Sequence, residues 1–340
     1  GDVYKRQSPD RSTSPEFPEV SPRFAFLLAS FPEYTYLYTH RNSLLILFCL
    51  MPSYKIAAVM RSGVYSPNHI GNDATILNTV ADQLRKRGCE VHIYSEEQFV
   101  ASRIDEPVII NMCRERTSID KLQRLESEGR LVINSGHGIE NCIRERQARI
   151  LIGSGLPYPE SIIVDTNEAV ERRLREAGMG QCWIKRADFH SQHAEDVSYV
   201  RTPEEAQDVL QEYFLRGFRR AVISRHLPGQ LVKFYGVADT DFFHWFRPYE
   251  PFDASEPSLP ENIDVERTLK EICARGAREL NLMVYGGECI QDVSGRLHII
   301  DFNDWPSFAP CRQEAAPHIA KAIIKKICLL YTSDAADDKA

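Results

Sequence analysis

The stretch GGECIQDVSGRLHIIDFNDWPSF, residues 286–308, decides how the rest of the chain is read. Its centre, Asp292-Val293-Ser294-Gly295, has the composition of a turn. The apolar runs 284–291 and 297–302 on either side are therefore expected to pair as a hairpin. A four-residue loop sets Glu288 opposite Ile299. Strand side chains alternate with period two, so Glu288 then shares a face with Asp301 and Asn303. Taken alone, Asp-x-Asn after an apolar strand is an ordinary solvated turn. With Glu288 paired across the hairpin and Trp305-Pro306 following, two carboxylates and an amide oxygen converge at one sheet end. Mg²⁺ favours that chemistry: hard oxygen ligands, one or two of them carboxylates, and phosphate oxygens completing an octahedron.

Working outward, the apolar run KIAAVM (55–60) reads as a strand. In 74–88, Ile76, Leu77, Val80, Ala81 and Leu84 recur at helical spacing, and Gly88 stops the helix. Strands at 89–94, 107–112 and 131–134, with a helix near 118–129, complete a small parallel α/β lobe. A linking helix near 139–153 leads to a strand at 161–164 and a helix at 167–178. Strands then dominate: CWIKR (182–186), VSYV (197–200), RAVISRHL (220–227), QLVKFYGVAD (230–239) and DFFHWFR (241–247). Helices are expected at 203–217, behind a Thr202/Pro203 capping signal, at 264–281 and at 313–327. The fold class is α/β plus α+β, a parallel lobe followed by a region rich in antiparallel sheet.

The formal net charge is −7 with both signs interspersed, and no basic block marks a nucleic-acid face. Nine cysteines are scattered without a CxxC pair or metal-type spacing, which fits small core residues in a reducing cytoplasm. The run 44–51 is far too short to cross a bilayer.

Both ends read as foreign to the fold. DVYKRQ (2–7) back-translates to GATGTGTATAAGAGACAG, and the reverse complement of that DNA encodes Cys328–Thr332. This pairing is expected of translated library-adapter sequence. For residues 8–50 the readings are upstream DNA read through, an imperfect signal sequence or a real extension, the first being preferred. Met51 opens a natural start. The expected organisation is 1–50 outside the fold, 51–135 the α/β lobe, 136–327 the second domain, and 328–340 an adapter-derived tail.

The order Ile-Asn-Ser (133–135), Leu-Pro-Tyr-Pro-Glu-Ser (156–161), Trp-Ile-Lys-Arg (183–186), Ile-Ser-Arg-His-Leu-Pro-Gly (223–229), Lys-Phe-Tyr-Gly-Val (233–237), then Glu288 and Asp-Phe-Asn (301–303), resembles the ATP-grasp superfamily. The resemblance covers roughly 131–325, and the lobe 55–130 fits what precedes it. It implies a two-lobed nucleotide clamp holding ATP and Mg²⁺. Lys185 and Lys233 would reach phosphate, with Arg247 a further catalytic candidate. Ser224, Arg225, His226 and Leu227 would form the hinge beside adenine, and Glu288, Asp301 and Asn303 would hold the metal. The ending is most like the peptide-ligase and inositol-phosphate-kinase branches. Two departures stand out. The loop DFHSQHAED (188–196) lacks the family's glycines, so His190 and Ser191 would touch phosphate through side chains, touch substrate, or simply face solvent. An arginine at 225 occupies a position that normally carries an acid.

The resemblance implies a carboxylate–amine or carboxylate–thiol ligase acting through an acyl phosphate. The alternatives are a small-molecule kinase or a silent ATP-binding protein. Acceptor contacts are expected from loops at the carboxyl ends of the first lobe's strands. Arg61, Arg114 and Arg116 lie there and suit an anionic small molecule.

Overall fold

A computed structural model describes residues 54–65, 70–187, 196–248 and 264–337, all within the compact unit Pro52–Ala340. His190, Ser191 and residues 1–50 lie outside the described residues.

The first lobe is a parallel sheet in the order β2-β1-β3-β4, built from β1 (Lys55–Val59), β2 (Glu90–Tyr94), β3 (Val108–Asn111) and β4 (Leu131–Ile133). Helices α1 (Ile70–Arg85), α2 (Glu96–Ala101) and α3 (Arg116–Ser127) connect the strands. Strand β1 reads as an unbroken apolar run because both its faces are covered. Ile56 and Ala58 join the cluster holding Ile76, Leu77 and Val80 of α1, while Ala57 and Val59 join Ile119, Leu122 and Leu125 of α3. Gly88, at φ 87°, closes the turn after α1, as its position predicts.

The linking helix is two helices, α4 (Gly136–Asn141) and α5 (Arg144–Gly153), interrupted at Cys142–Ile143. An antiparallel sheet follows, ordered β5-β8-β6-β7. Its elements are β5 (Ser161–Asp165), α6 (Glu171–Glu176), β6 (Cys182–Arg186), β7 (Val197–Val200), α7 (Pro203–Leu215) and β8 (Arg220–Arg225). Thr202 caps α7 by accepting from Glu205 N, with Pro203 in the first turn. Cys182, Ile184, Ala221 and Ile223 turn one face of this sheet into the core beneath α6 and α7.

The second antiparallel sheet is ordered β10-β9-β11-β12, from β9 (Gly229–Val237), β10 (Phe243–Phe246), β11 (Val284–Asp292) and β12 (Leu297–Asp304). Helix α8 (Val265–Glu279) covers its back, where Val232, Phe234, Cys289, Ile299 and Phe302 pack with Leu269 and Cys273. The closing helix α9 (Arg312–Asp337) begins near the predicted 313 and continues beyond the predicted end at 327.

The hairpin forms, but its register differs from expectation. Cys289, not Glu288, pairs with Ile299, and Glu288 pairs with Asp301. A β-bulge between the two pairs leaves Ile300 as an extra residue on β12. Ile299 consequently faces the core. The bulge resets the alternation, so Asp301 and Asn303 still lie on the face of Glu288, opposite Glu288 and Gly286 respectively.

Two carboxamides tie the pieces together. Asn134 Oδ1 accepts from the backbone N–H of Met283 (2.9 Å) and Val284 (2.8 Å), and its Nδ2 donates to Val284 O. That joins the end of β4 to the start of β11. Gln147 of α5 does the same for Phe302, donating to its carbonyl (2.8 Å) and accepting from its N–H (3.0 Å). A carboxamide carries both partners of a peptide group, so it can finish a strand edge that would otherwise stay open.

Candidate nucleotide and metal site

Period-two alternation builds a graded face on the second antiparallel sheet. Lys233 pairs with Glu288, which pairs with Asp301; Leu231 pairs with Ile290; Tyr235 pairs with Gly286, which pairs with Asn303. One end is therefore apolar, the middle row charged, and the other end polar and aromatic, with Tyr235 and Asn303. On the facing sheet, Trp183 pairs with Ser224, and Lys185 lies two residues further along β6. Between the sheets lies a cleft of about 330 Å³, lined by Tyr158, Trp183, Lys185 and Ser224 on one side and Leu231, Glu288, Ile290 and Ile300 on the other.

Cations gather where the apolar part ends. Lys185 Nζ donates to Ile300 O at 3.3 Å, the carbonyl presented by the bulge. Burial, with Arg144 adding to it, lowers the Lys185 ammonium to about 8 against the pull of Asp301 and Glu288. Arg144, the first residue of α5, brings Nη1 to 4.0 Å from Asp301 Oδ1. Lys233 Nζ pairs with Glu288 Oε1 at 3.0 Å. Asn303 Nδ2 donates to Asp301 Oδ2 at 3.3 Å. The donor set of Glu288, Asp301 and Asn303 fits Mg²⁺: hard oxygens, too few to satisfy the ion alone, at the open end of a cleft. Among the described residues no group of three or more His, Cys, Asp or Glu side chains is arranged to hold a metal.

The apolar end carries an aromatic edge. Trp183 Nε1 donates to His226 Nδ1 at 3.1 Å. The indole can only donate, so His226 must be neutral with its proton on Nε2, and burial lowers its pKa accordingly. Tyr199 packs 5.1 Å from both rings. Ser224 accepts from the Ser161 hydroxyl (2.8 Å), and burial raises the adjoining Tyr158 phenol to about 12.

Several predicted residues sit elsewhere. Arg225 lines the cleft, but its guanidinium donates to Glu160 and to the carbonyls of Ala177 and Gly178 beyond the end of α6. It partners Cys182, whose side chain faces the helices, and the same alternation returns His226 to the cleft. Arg247 is also reversed. Phe246 is the residue paired with Lys233, so Arg247 falls on the far face. There it donates to Gln291 Oε1 (2.6 Å) and lies over Trp245.

The three first-lobe arginines are all engaged by the protein. Arg61 pairs with Asp73 at 2.8 Å and donates to the carbonyls of Met112 and Trp305. Arg114 pairs with Asp304 at 2.9 Å, the side chains 7% and 1% exposed. Together they hold the turn after β12, where Trp305 (φ 35°) and Phe308 (φ 49°) adopt left-handed backbone. Arg116 is on the outside of α3, paired with Glu140 and Asp120. Glu96, fully buried, organises the same loops by accepting from the N–H of Ser62, Arg114 and Glu115.

Sequence reasoning passed over Trp183, Leu231 and Arg144. The first two were within reach, being two residues from Lys185 and Lys233 and hence on their faces. Arg144 gave no local signal.

Two antiparallel four-stranded sheets closing on a cleft, behind a parallel α/β lobe, define the ATP-grasp fold, and this chain has it. Known structures agree. The chain is similar to D-alanine–D-alanine ligase from Bacillus anthracis complexed with ATP, with TM-score 0.62 and 14% identity over 83% of this chain and 100% of that one. It is similar to VanG D-Ala:D-Ser ligase from Enterococcus faecalis (TM-score 0.61, 13% identity, 82% and 100% covered). It also resembles the ATP-grasp ligase PsnB complexed with minimal precursor (TM-score 0.57, 18% identity, 81% and 99% covered). At these identities the likeness speaks for the fold. No family model matches the sequence, and the search of curated proteins found no match.

Proposed function

We infer that this chain is a Mg-ATP-dependent ligase that activates a carboxylate on a small molecule and joins it to an amine or thiol. One observation carries the reading: apolar cleft walls give way to a charged row in which Lys233, Glu288 and Asp301 are register partners, with Lys185 and Arg144 beside it and Asn303 one row further. That sequence of environments matches a base, a polyphosphate and its cation. The ligases similar in fold support the reading, including one complexed with Mg and ADP.

The base would lie between Trp183 and the floor of Leu231 and Ile290, beside the Ser224–Leu227 backbone. Lys185 and Arg144 would bind phosphate, and Lys233 would exchange Glu288 for phosphate oxygen. Glu288, Asp301 and Asn303 would hold Mg²⁺, which offsets charge on the phosphates when bound. An acceptor carboxylate oxygen attacks the γ-phosphorus, the bond to the bridging oxygen breaks, and ADP leaves. An amine or thiol then attacks the acyl carbon and releases phosphate. No side-chain nucleophile is needed; positioning and charge do the work.

Among the described residues no helix is long and apolar enough to cross a membrane. The eight cysteines described are all free, which supports a reducing compartment, the cytoplasm.

The test is to supply Mg-ATP with candidate acids and amines and follow ADP and phosphate. Free phosphate formed only when both partners are present supports a ligase. A stable phosphorylated product would instead make the protein a kinase. ATP binding without ADP from any acceptor, unaltered by Asp301→Asn, would make it a silent nucleotide-binding protein.

A further inference from the structure

The graded face of the second antiparallel sheet does not stop at its charged residues. Beyond Lys233 it becomes aromatic. Phe246 is the register partner of Lys233, and His244 is the partner of Tyr235. All three rings therefore stand on the face that carries Glu288 and Asp301. Tyr235 and Phe246 lie nearly parallel, 10° apart with centroids at 6.3 Å, and His244 is 5.9 Å from Phe246. All three are half-buried, whereas Phe234 and Phe302 on the opposite face are sealed in the core.

The rings adjoin the charged row closely. Gly286 separates Tyr235 from Asn303 in register and supplies no side chain between them. A Cβ built there would meet Pro306 at 2.8 Å and Tyr235 at 3.0 Å, so the phenol ring lies over this backbone. Phe308 backs Tyr235 from the core side at 5.2 Å, which holds the ring in place. A held, half-exposed aromatic surface thus begins one residue pair from the ion pair Lys233–Glu288. The arginines that suited a polyanionic acceptor, Arg61 and Arg114, are meanwhile committed to Asp73 and Asp304.

Resting on the ligase reading above, we propose that the acceptor is a carboxylic acid bearing an aromatic ring. The ring lies on the shelf of Tyr235, His244 and Phe246, and the carboxylate points toward Lys233. Aromatic groups favour offset or edge contact with rings, and such a shelf rejects a second carboxylate by leaving it desolvated without a partner. Phe246 is the specificity residue, and Tyr235 positions it.

The full chain is incubated with Mg-ATP and hydroxylamine, which attacks an acyl phosphate to give the hydroxamate and phosphate. Phenylalanine, alanine and glutamate are supplied in turn as the acid. The expected result is the lowest KM for phenylalanine. Phe246→Ala should raise that KM by about tenfold or more while leaving the KM for ATP unchanged. Phe246→Leu, which keeps apolar bulk and secures folding, should narrow the preference for phenylalanine over alanine. A preference for glutamate, or a KM for phenylalanine indifferent to both substitutions, overturns the proposal and leaves the ligase reading standing. Hydroxamate from none of the acids, with Mg-ATP still raising the unfolding temperature, overturns both.

Discussion

Two sets of cations lie along the hairpin of β11 and β12, and they do opposite things. Arg61 and Arg114 come from the first lobe and are buried against Asp73 and Asp304. Lys185 and Lys233 come from the clamp sheets and face the cleft. All four follow or sit on apolar strands, and nothing in their immediate sequence separates them. What separates them is where the matching acid stands. Asp304 is on the core side of β12, so its partner is buried with it. Glu288 and Asp301 are on the cleft side, where a cation paired with them stays within reach of a ligand. Charge near a site thus signals binding only when the sheet face carrying its counter-charge is open.

The comparison breaks most sharply at Arg114. Removing one member of a buried pair leaves the other charge uncompensated, and Arg114→Ala should cost about 3–5 kcal/mol of stability. Urea unfolding measures this, and Arg114→Met combined with Asp304→Leu should recover most of it. A neutral Arg114→Ala would mean the pair is not a structural clamp.

Lys185→Met should do the reverse: the urea midpoint holds, while turnover with Mg-ATP falls roughly 10²–10³-fold, the scale for losing one preorganised charge contact in a closed site. Loss of folding with Lys185→Met would erase the distinction between the two sets.

The smallest expected effect is on pH dependence. With its ammonium at about 8 in the unliganded protein, Lys185 is charged below that pH and neutral above it. Phosphate favours the charged form and raises the value. Mg-ATP binding should therefore take up a proton in the window just above pH 8 and weaken as pH rises through it. Calorimetry in buffers of different ionisation enthalpy reads the uptake. Uptake that persists in Lys185→Met would assign the proton to another group.

The cleft face was legible wherever period two alone decides. Strand β6 has the predicted bounds, Cys182–Arg186, and Lys185 faces the cleft. Glu288, Asp301 and Asn303 also share a face, but through the bulge at Ile300 rather than through unbroken alternation. Period two, applied one residue further, would also have turned Arg225 and Arg247 away, because Ser224 and Phe246 already occupied the cleft side. Other features needed distances that a sequence does not hold. Arg114 and Asp304 are 190 residues apart, and Gln147 meets Phe302 across 155. The break between α4 and α5, which sets Arg144 at a helix start, has no glycine or proline to announce it.

The extra residue Ile300 gives the floor strand a parity. Every residue of β12 after it belongs to the face it would have missed in a regular ladder paired as far as Ile299 with Cys289. Deleting Ile300 would remove the bulge: Ile299 and Asp301 would pair in succession with Cys289 and Glu288, Asp301 and Asn303 would keep the cleft face, and Lys185 would lose the carbonyl it touches. A related chain one residue shorter between Cys289 and Asp301 could present the same face with no bulge, whereas one of this length needs the bulge to keep Asp301 and Asn303 on the cleft side.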